Sequence, residues 1–341
     1  MADDKKGLPL SEELRWKIDA TTSKKKSRKA NQEAEHLREQ LDLTRKEMAV
    51  LMGAQEAAGE TVPKIKAHKR KMEQSTAVAV ASDWHVEEPV FGDRINNLNE
   101  FNMEIADKRI TIFFERLVYL TNTQRHSTDI DTLVLGLLGD FITGSIHDEL
   151  AETNEASPVE ALMWVLPRII EGIRFLKTEG GFKRIILPCC CGNHSRTTDK
   201  RRVKTLVQTS YEYILYHVLQ MSVEGCEFHI AKGYHQLISV YDLIVRCHHG
   251  DAIRYGGGVG GITIPVNKKI AQWDKSVTAD LDLFGHYHQS IYERKWISNG
   301  SLIGYSEFAN QIGAEWEPPQ QAFFLMKPNR GRTIHAPIFL D

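Results

Sequence analysis

At 341 residues, 42% of them hydrophobic, the chain is long enough to bury a large core and short for three domains. Its net charge of -2 conceals a division, with 17 basic against 13 acidic residues in 1–75 and 26 against 32 thereafter. The body is therefore excluded from binding nucleic acid by bulk charge, and a phosphate partner there needs a local patch or a metal.

No run of about 18 apolar residues exists to span a bilayer, and M-A-D-D-K-K lacks the apolar segment of a signal peptide, so no membrane association is expected. Five cysteines are present, and Cys189, Cys190 and Cys191 are consecutive inside an apolar run where strand neighbours point to opposite faces. They read as reduced core thiols of a cytoplasmic protein. Residues 1–29 are polar and lysine-rich and read as poorly ordered. From Ala30 the pattern changes: Ala30, Ala34, Leu37, Leu41, Thr44, Met48 and Leu51 recur in steps of four and three, which predicts a heptad-like helix over about 30–52. Two arrangements fit that stripe. It packs against the body of the same chain, or it zips to a second copy (a homo-oligomer) or a partner protein. Residues 53–75 read as a linker, dividing the chain into a charged N-terminal extension, 1–75, and a catalytic body, 76–341.

The body opens with T-A-V-A-V-A-S-D-W-H, 76–85, a short β-branched apolar run that predicts a buried strand delivering Asp83 and His85 at its end. Met103, Ala106, Ile110, Phe113, Leu117 and Leu120 repeat at helical spacing behind Asn99 as a cap. Thr132 to Gly139 predicts a second strand, ending in Asp140. Ser157-Pro158-Val159-Glu160 combines a capping box with proline at the first helical position, and predicts a helix running to Gly180-Gly181 with a kink at Pro167. A third strand, Arg184 to Cys191, ends at Gly192-Asn193-His194. A helix follows from about Lys200 to Met221, with Val203, Leu206, Val207, Tyr211, Ile214 and Val218 on its core face. A hairpin around Tyr241-Asp242 leads to His248-His249-Gly250-Asp251, and a strand over Leu281 to Phe284 leads to Gly285-His286-Tyr287-His288. The last strands, Q-A-F-F-L-M-K and T-I-H-A-P-I-F-L, read as antiparallel closers of a second sheet. Alternating strands and helices followed by strands predict an α/β fold, a two-sheet sandwich with helices outside.

The strand-terminal polar groups D-W-H, G-D-F, G-N-H, H-H-G-D and G-H-Y-H come in the order of the calcineurin-like metallophosphoesterases, and the body resembles that family over about two hundred residues. The resemblance implies an α/β/β/α sandwich and a hydrolase holding two divalent transition metal ions about 3.5–4 Å apart. It implies Asp140 as the bridge, Asp83, His85 and His288 on the first ion, and Asn193, His249 and His286 on the second. A hydroxide shared by the ions would attack phosphorus in line, with His194 steadying the transition state or protonating the leaving oxygen. Such a donor set suits Mn, Fe, Zn or Ni above Mg, with Mn expected. His286 and His288, two apart on an extended backbone, would face one common site. His249 is preferred to His248 as ligand because H-G-D resembles that segment of family members; His248 is then a neighbour of the ligands, and Asp251 either holds the far nitrogen of His249 or stabilises a turn. Two departures from the family stand out: Ser195 follows G-N-H where many relatives carry an acid, and F-I-T-G follows G-D where many carry a second acid.

Arg196, Lys200, Arg201, Arg202 and Lys204 crowd the start of a predicted helix, where cations are disfavoured unless an anion offsets them, so they are expected to bind phosphate or to form a solvated basic turn. Arg254-Tyr255 before G-G-G-V-G-G reads as a lid with Arg254 contacting substrate, or as a plain flexible loop. S-D-W-H and the basic cluster look most like the DNA repair nucleases of the family, which implies a phosphodiesterase acting on nucleic acid. The alternatives are a phosphatase or phosphodiesterase for small nucleotides or phosphoproteins, and a scaffold whose phosphoesterase body is regulatory or silent.

Overall fold

The computed structural model describes residues 12–61, 72–255 and 260–341. The expectations for the first eleven residues, for the K-I-K-A-H-K-R-K stretch and for the glycine run at 256–259 lie outside them. The chain divides into two compact units, Met1–Arg70 and Lys71–Asp341.

The described residues of the first unit form one helix, α1 (Glu12–Thr61). It starts 18 residues before Ala30 and reaches into the expected linker. Between Glu12 and Met52 there is neither glycine nor proline, and the lysine-rich segment read as disordered is composed of good helix formers. High charge at that end had been weighed as loss of a core, when it is equally compatible with a solvated helix.

The second unit holds β1 (Gln74–Ala81), α2 (Met103–Arg125), β2 (Asp129–Leu137), α3 (Asp148–Thr153), α4 (Pro158–Thr178), β3 (Arg184–Cys189), α5 (Tyr211–Ser222), β4 (Glu227–Ile230), β5 (Gln236–Val240) and β6 (Leu243–Cys247). It continues through α6 (Thr263–Trp273), β7 (Leu281–Phe284), β8 (Ile291–Tyr292), β9 (Trp296–Ser298), α7 (Glu307–Gln311), β10 (Gln320–Lys327) and β11 (Gly331–Phe339). One sheet runs β11-β10-β1-β2-β3-β4 and the other β5-β6-β7-β9-β8. Within them β1, β2, β3 and β4 are parallel, as are β6, β7 and β9. The two C-terminal strands join the first sheet, β10 antiparallel beside β1, and do not close the second as the sequence suggested. Their alternation fixes that they are strands; it carries no information on which edge receives them.

Side-chain alternation builds the layers. Ala77, Ala79 and Ala81 of β1 pack with Phe113, Leu117, Val165, Ile169 and Leu215 under the helices, while Val78 and Val80 pack with Val245, Leu283 and Ile297 of the second sheet. Cys189 and Cys191 face the helices and Cys190 faces the second sheet, and all five cysteines are free. A third cluster, Val266, Ile270, Phe284 and Trp296, places α6 on the outer face of the second sheet. The result is a mixed α/β sandwich, two sheets face to face with helices outside. No described helix is long and apolar enough to cross a membrane.

Local signals set the helix ends. The Ser157–Glu160 capping box forms with Pro158 at the first helical position, and α4 continues through Pro167 to Thr178. Asn102, three residues beyond the expected Asn99, caps α2. The helix expected from Lys200 begins only at Tyr211 and buries a different face: Glu212, Leu215, Tyr216 and Leu219, with Val203 and Ile214 exposed. A buried glutamate interrupts the true apolar stripe, so the eye follows the neighbouring, wrong one.

At Gly172 of α4 the α2 side chain Phe114 comes close, since a Cβ there would lie 2.0 Å from Cε2 of Phe114. Helix propensity alone makes Gly172→Ala stabilising by about 1 kcal/mol. The overlap with a buried ring reverses the sign, and a net loss of roughly 1–3 kcal/mol in urea unfolding is expected; an unchanged or raised midpoint would show that the two helices are not in contact there.

Candidate metal centre

The ends of β1, β2, β3, β6 and β7 bring together the residues singled out in the sequence. Asp83, His85 and His288 offer ligand atoms all within 4.8 Å of one another; Asp140, His249 and His286 do the same, and so do His85, Asp140 and His194. Asp140 thus belongs to two of the three groups, and His85 joins it to Asp83 and His288. His249 Nε2 lies 2.8 Å from Asp140 Oδ2, and His288 Nε2 lies 3.5 Å from Asp83 Oδ1.

Backbone geometry achieves this convergence at a cost. Of the nine non-glycine residues with left-handed φ among those described, five are Asp83, His85, Asp140, His286 and His288. Each is disfavoured by roughly 1–2 kcal/mol for an L-residue, so their concentration at one point marks a site held by its surroundings. His286 and His288 therefore do not face one way from an extended strand. They sit on a turn, φ 72° and 54°, and serve separate groups.

Glycines allow the approach. A Cβ on Gly192 would lie 2.0 Å from Asp140 Oδ1, and one on Gly285 would lie 2.0 Å from Asp83 Oδ2. Gly139, at φ 92°, stands where a Cβ would be 2.2 Å from the Gly192 nitrogen. The glycine in each of G-D, G-N-H and G-H-Y-H is thus demanded by contact between loops.

The donors are oriented from behind. The ring Nδ1 of His249 meets the Leu138 carbonyl at 2.8 Å, that of His194 the Thr143 carbonyl at 3.0 Å, and that of His85 the Thr143 hydroxyl at 3.0 Å. A carbonyl can only accept, so Nδ1 of His249 and of His194 carries the hydrogen and Nε2 is left for the centre. The His286 and His194 amides donate to Asp83 Oδ1 and Asp140 Oδ1, both at 2.8 Å. Ser82 donates to Asp83 Oδ2 and in turn accepts from Asn299.

Several of these supports were invisible in the sequence. Glu212 is buried in α5 and accepts from the Phe141 and Gly192 amides, each at 2.7 Å, clamping the two loops that carry Asp140 and Asn193. Glu87 accepts from the Thr143 and Gly144 amides at 2.9 and 2.8 Å. Ser195, in place of an acid, donates to Glu212, and His194 is oriented by a carbonyl instead. A buried glutamate in a helix was the one available signal for Glu212; nothing marked Thr143 or Asn299.

Other expectations change. Asp251 does not hold His249; it pairs with Arg201 at 2.7 Å, and the Leu138 carbonyl holds His249. His248 turns to the opposite face, stacked on Phe284 at 5.0 Å with Nε2 3.5 Å from Asp282 Oδ1, beside the Arg246–Asp282 pair, and is no support for the ligands. The basic cluster is not at a helix start. Arg196 is spent on the Asn193, Thr198 and Asp199 carbonyls, and Arg201 on Asp251 and the Tyr234 ring. Lys200, Arg202, Lys204 and Arg254 are exposed.

The electrostatics are those of bare ligands. Burial alone would raise the Asp140 pKa; the facing His249 and His194 outweigh it and hold it well below the usual range. Burial opposes charge on His249, and Asp140 overcomes it, raising the pKa to about 10. Burial lowers His85, His194 and, to about 4, His286. Desolvation pushes Glu87, Glu88 and Glu212 up to about 7.

His85 Nε2, His249 Nε2 and Asn193 Oδ1 are buried without a hydrogen-bond partner. The 2.8 Å approach of His249 to Asp140 is therefore a close contact of two converging donors and not a well-formed hydrogen bond. Buried polar atoms left bare in this way, the two histidine nitrogens among them grouped with the Asp140 carboxylate, fit metal binding. The nitrogen-rich set favours transition metals over Mg.

No family model and no curated protein matches the chain. Among solved structures it is similar to a hypothetical protein from Pyrococcus horikoshii, at 9% identity over 78% of this chain and 89% of that one, with a TM-score of 0.36. It is similar to Vps29 of Chaetomium thermophilum at 10% identity, covering 61% and 97%, TM-score 0.29. It is also similar to the sulfate thiohydrolase SoxB of Thermus thermophilus at 8% identity, covering 80% and 58%, TM-score 0.34. Likeness at this level leaves the reading of the site to its own geometry.

Gly192→Ala is expected to displace the Asp140 carboxylate and lower metal retention roughly tenfold or more by elemental analysis. Gly136→Ala, where an added methyl meets Leu138 side-chain atoms no closer than 3.4 Å, should retain metal as the parent does. Equal retention in both variants would break the link between the glycine contact and the centre. A second expectation concerns pH. The folded-state pKa of Glu87, about 7, stands above its ordinary 4.5, so protonation favours the fold. Its share of stability is whole below 4.5 and is lost as pH rises through 7, on the order of 3 kcal/mol at most. Glu87→Gln keeps an acceptor for both amides and should flatten this part of the slope in urea unfolding of chelator-treated protein; an unaltered slope would remove Glu87 as a source.

Proposed function

We propose that the body is a calcineurin-like, dinuclear metal-dependent phosphoesterase that hydrolyses phosphodiester bonds. The observation that carries the reading is the sharing of Asp140 between two groups of donors, with unpartnered nitrogens on both sides of it. Asp83, His85, Asp140 and His288 would hold one ion, and Asp140, Asn193, His249 and His286 the other, with manganese as the expected metal. When bound, the ions supply charge neutralisation at phosphorus and a nucleophile at neutral pH.

The chain's own residues do the rest. Thr143 fixes the His194 ring through its carbonyl, and the Asp140 carboxylate fixes the His194 backbone, so Nε2 is presented at the edge of the centre. That atom takes up a proton beside an anionic phosphoryl group and delivers it to the departing oxygen. Burial lowers the His194 pKa and favours the neutral ring, so the charged donor would form only with an anionic phosphoryl group beside Nε2. Lys200, Arg202, Lys204 and Arg254 are exposed, while Arg196 and Arg201 are occupied by contacts within the chain, and the four exposed cations favour a polyanionic substrate, nucleic acid, over a small ester.

The test is a panel with Mn: single- and double-stranded DNA, RNA, cyclic dinucleotides, a bis-nitrophenyl phosphodiester and a phosphomonoester. His194→Ala should lower kcat by about 10²–10⁴ with metal content unchanged, whereas Asp140→Asn should lose both metal and turnover. Arg202→Ala should raise KM for nucleic acid and leave the small diester unaffected. Turnover of small esters alone would replace the nucleic-acid reading by a small-nucleotide or phosphoprotein one, and metal bound with no turnover would favour a scaffold.

A further inference from the structure

The stripe on α1 extends beyond the segment that first revealed it. Continued toward the N-terminus in the same steps, it takes in Trp16, Ala20, Ser23 and Ser27 before Ala30, Ala34, Leu37, Leu41, Thr44 and Met48. Between residues 16 and 48 the chain holds 15 charged side chains, and none stands on the stripe. Charge is thus withheld from one narrow seam for nearly five heptads. The seam is exposed all the same: Trp16 by 74%, Leu37 by 61%, Leu41 by 52% and Met48 by 55%. Thr44 donates its hydroxyl to the Gln40 carbonyl at 2.9 Å, so its covering would strand no polar atom.

We propose that this seam is covered by the same helix of a second copy of the chain, parallel and in register, as a two-stranded coiled coil. Charge on the flanks chooses both occupant and direction. One flank carries Lys17, Lys24, Asn31, Arg38 and Arg45; the other carries Asp19, Lys26, Glu33, Gln40 and Glu47. In a parallel pair each residue of the second flank meets the one five positions on in the other copy. Asp19 then faces Lys24, Glu33 faces Arg38, and no like charges meet. An antiparallel pair would set the basic flank against itself, Arg38 and Arg45 included, and the Glu33–Glu47 flank against itself. Between Trp16 and Leu37 the seam holds only alanine and serine, and beyond it come Leu37, Leu41, Thr44 and Met48, so close backbone approach and larger-residue packing divide the interface between them. The proposal is independent of what the metal centre hydrolyses.

Full-length protein should sediment as a dimer. Glu33→Arg or Arg38→Glu alone should weaken dimerisation roughly tenfold, because each turns a facing pair into a repulsion twice per dimer, and the double variant should recover parental affinity. Leu37→Cys should cross-link to itself under mild oxidation, whereas Glu39→Cys, on the far side of the helix, should not. Metal content, measured on every variant, reports the body intact. A monomer at all soluble concentrations, a dimer indifferent to both charge reversals, or equal cross-linking at 37 and 39 would each overturn the proposal.

Discussion

The meeting of two strand ends, with Gly139 against Gly192 and no room for a Cβ between them, is the constraint on which the centre depends. It brings Asp140 and Asn193 to one point from parallel strands whose side chains otherwise serve the core. Parallel strands ending together produce such a point only where the connecting loops can nest, and nesting here requires missing side chains. Asp83 and Gly285 repeat the arrangement across the two sheets. The convergence of these side chains is accordingly a property of loop packing before it is a property of residue choice.

Holding five residues in left-handed conformations needs scaffolding that does not yield. Buried carboxyl groups supply it. Glu212 and Glu87 each accept two backbone amides at loops adjoining the ligands, and burial brings both toward neutrality, which lessens the cost of placing acids beside Asp140. An acid that is half protonated near pH 7 can keep its hydrogen-bonding role without adding a full negative charge to a crowded site.

Much of the centre was legible because its residues are polar groups that stop apolar runs, and a strand that ends in D-x-H, G-D or G-N-H states both position and chemistry. The helices of the body showed their caps at Ser157–Glu160. Errors arose where local pattern and tertiary environment disagreed. Glu212 broke the stripe of α5, so both its start and its buried face were misread. The C-terminal strands alternate correctly but carry nothing that assigns them to β1. Arg201 and Asp251, fifty residues apart, pair with one another, a contact that the sequence around neither residue announces. The supports least visible were backbone groups, the Leu138 and Thr143 carbonyls, to which sequence is silent.

Thr143 uses both ends of its polar inventory at once, the carbonyl on His194 and the hydroxyl on His85. Two of the converging imidazoles are thus steered by a single residue on a single loop. Parting this loop from Glu87 would therefore tilt both imidazoles together, so one displacement at the rim disturbs two of the converging side chains at once.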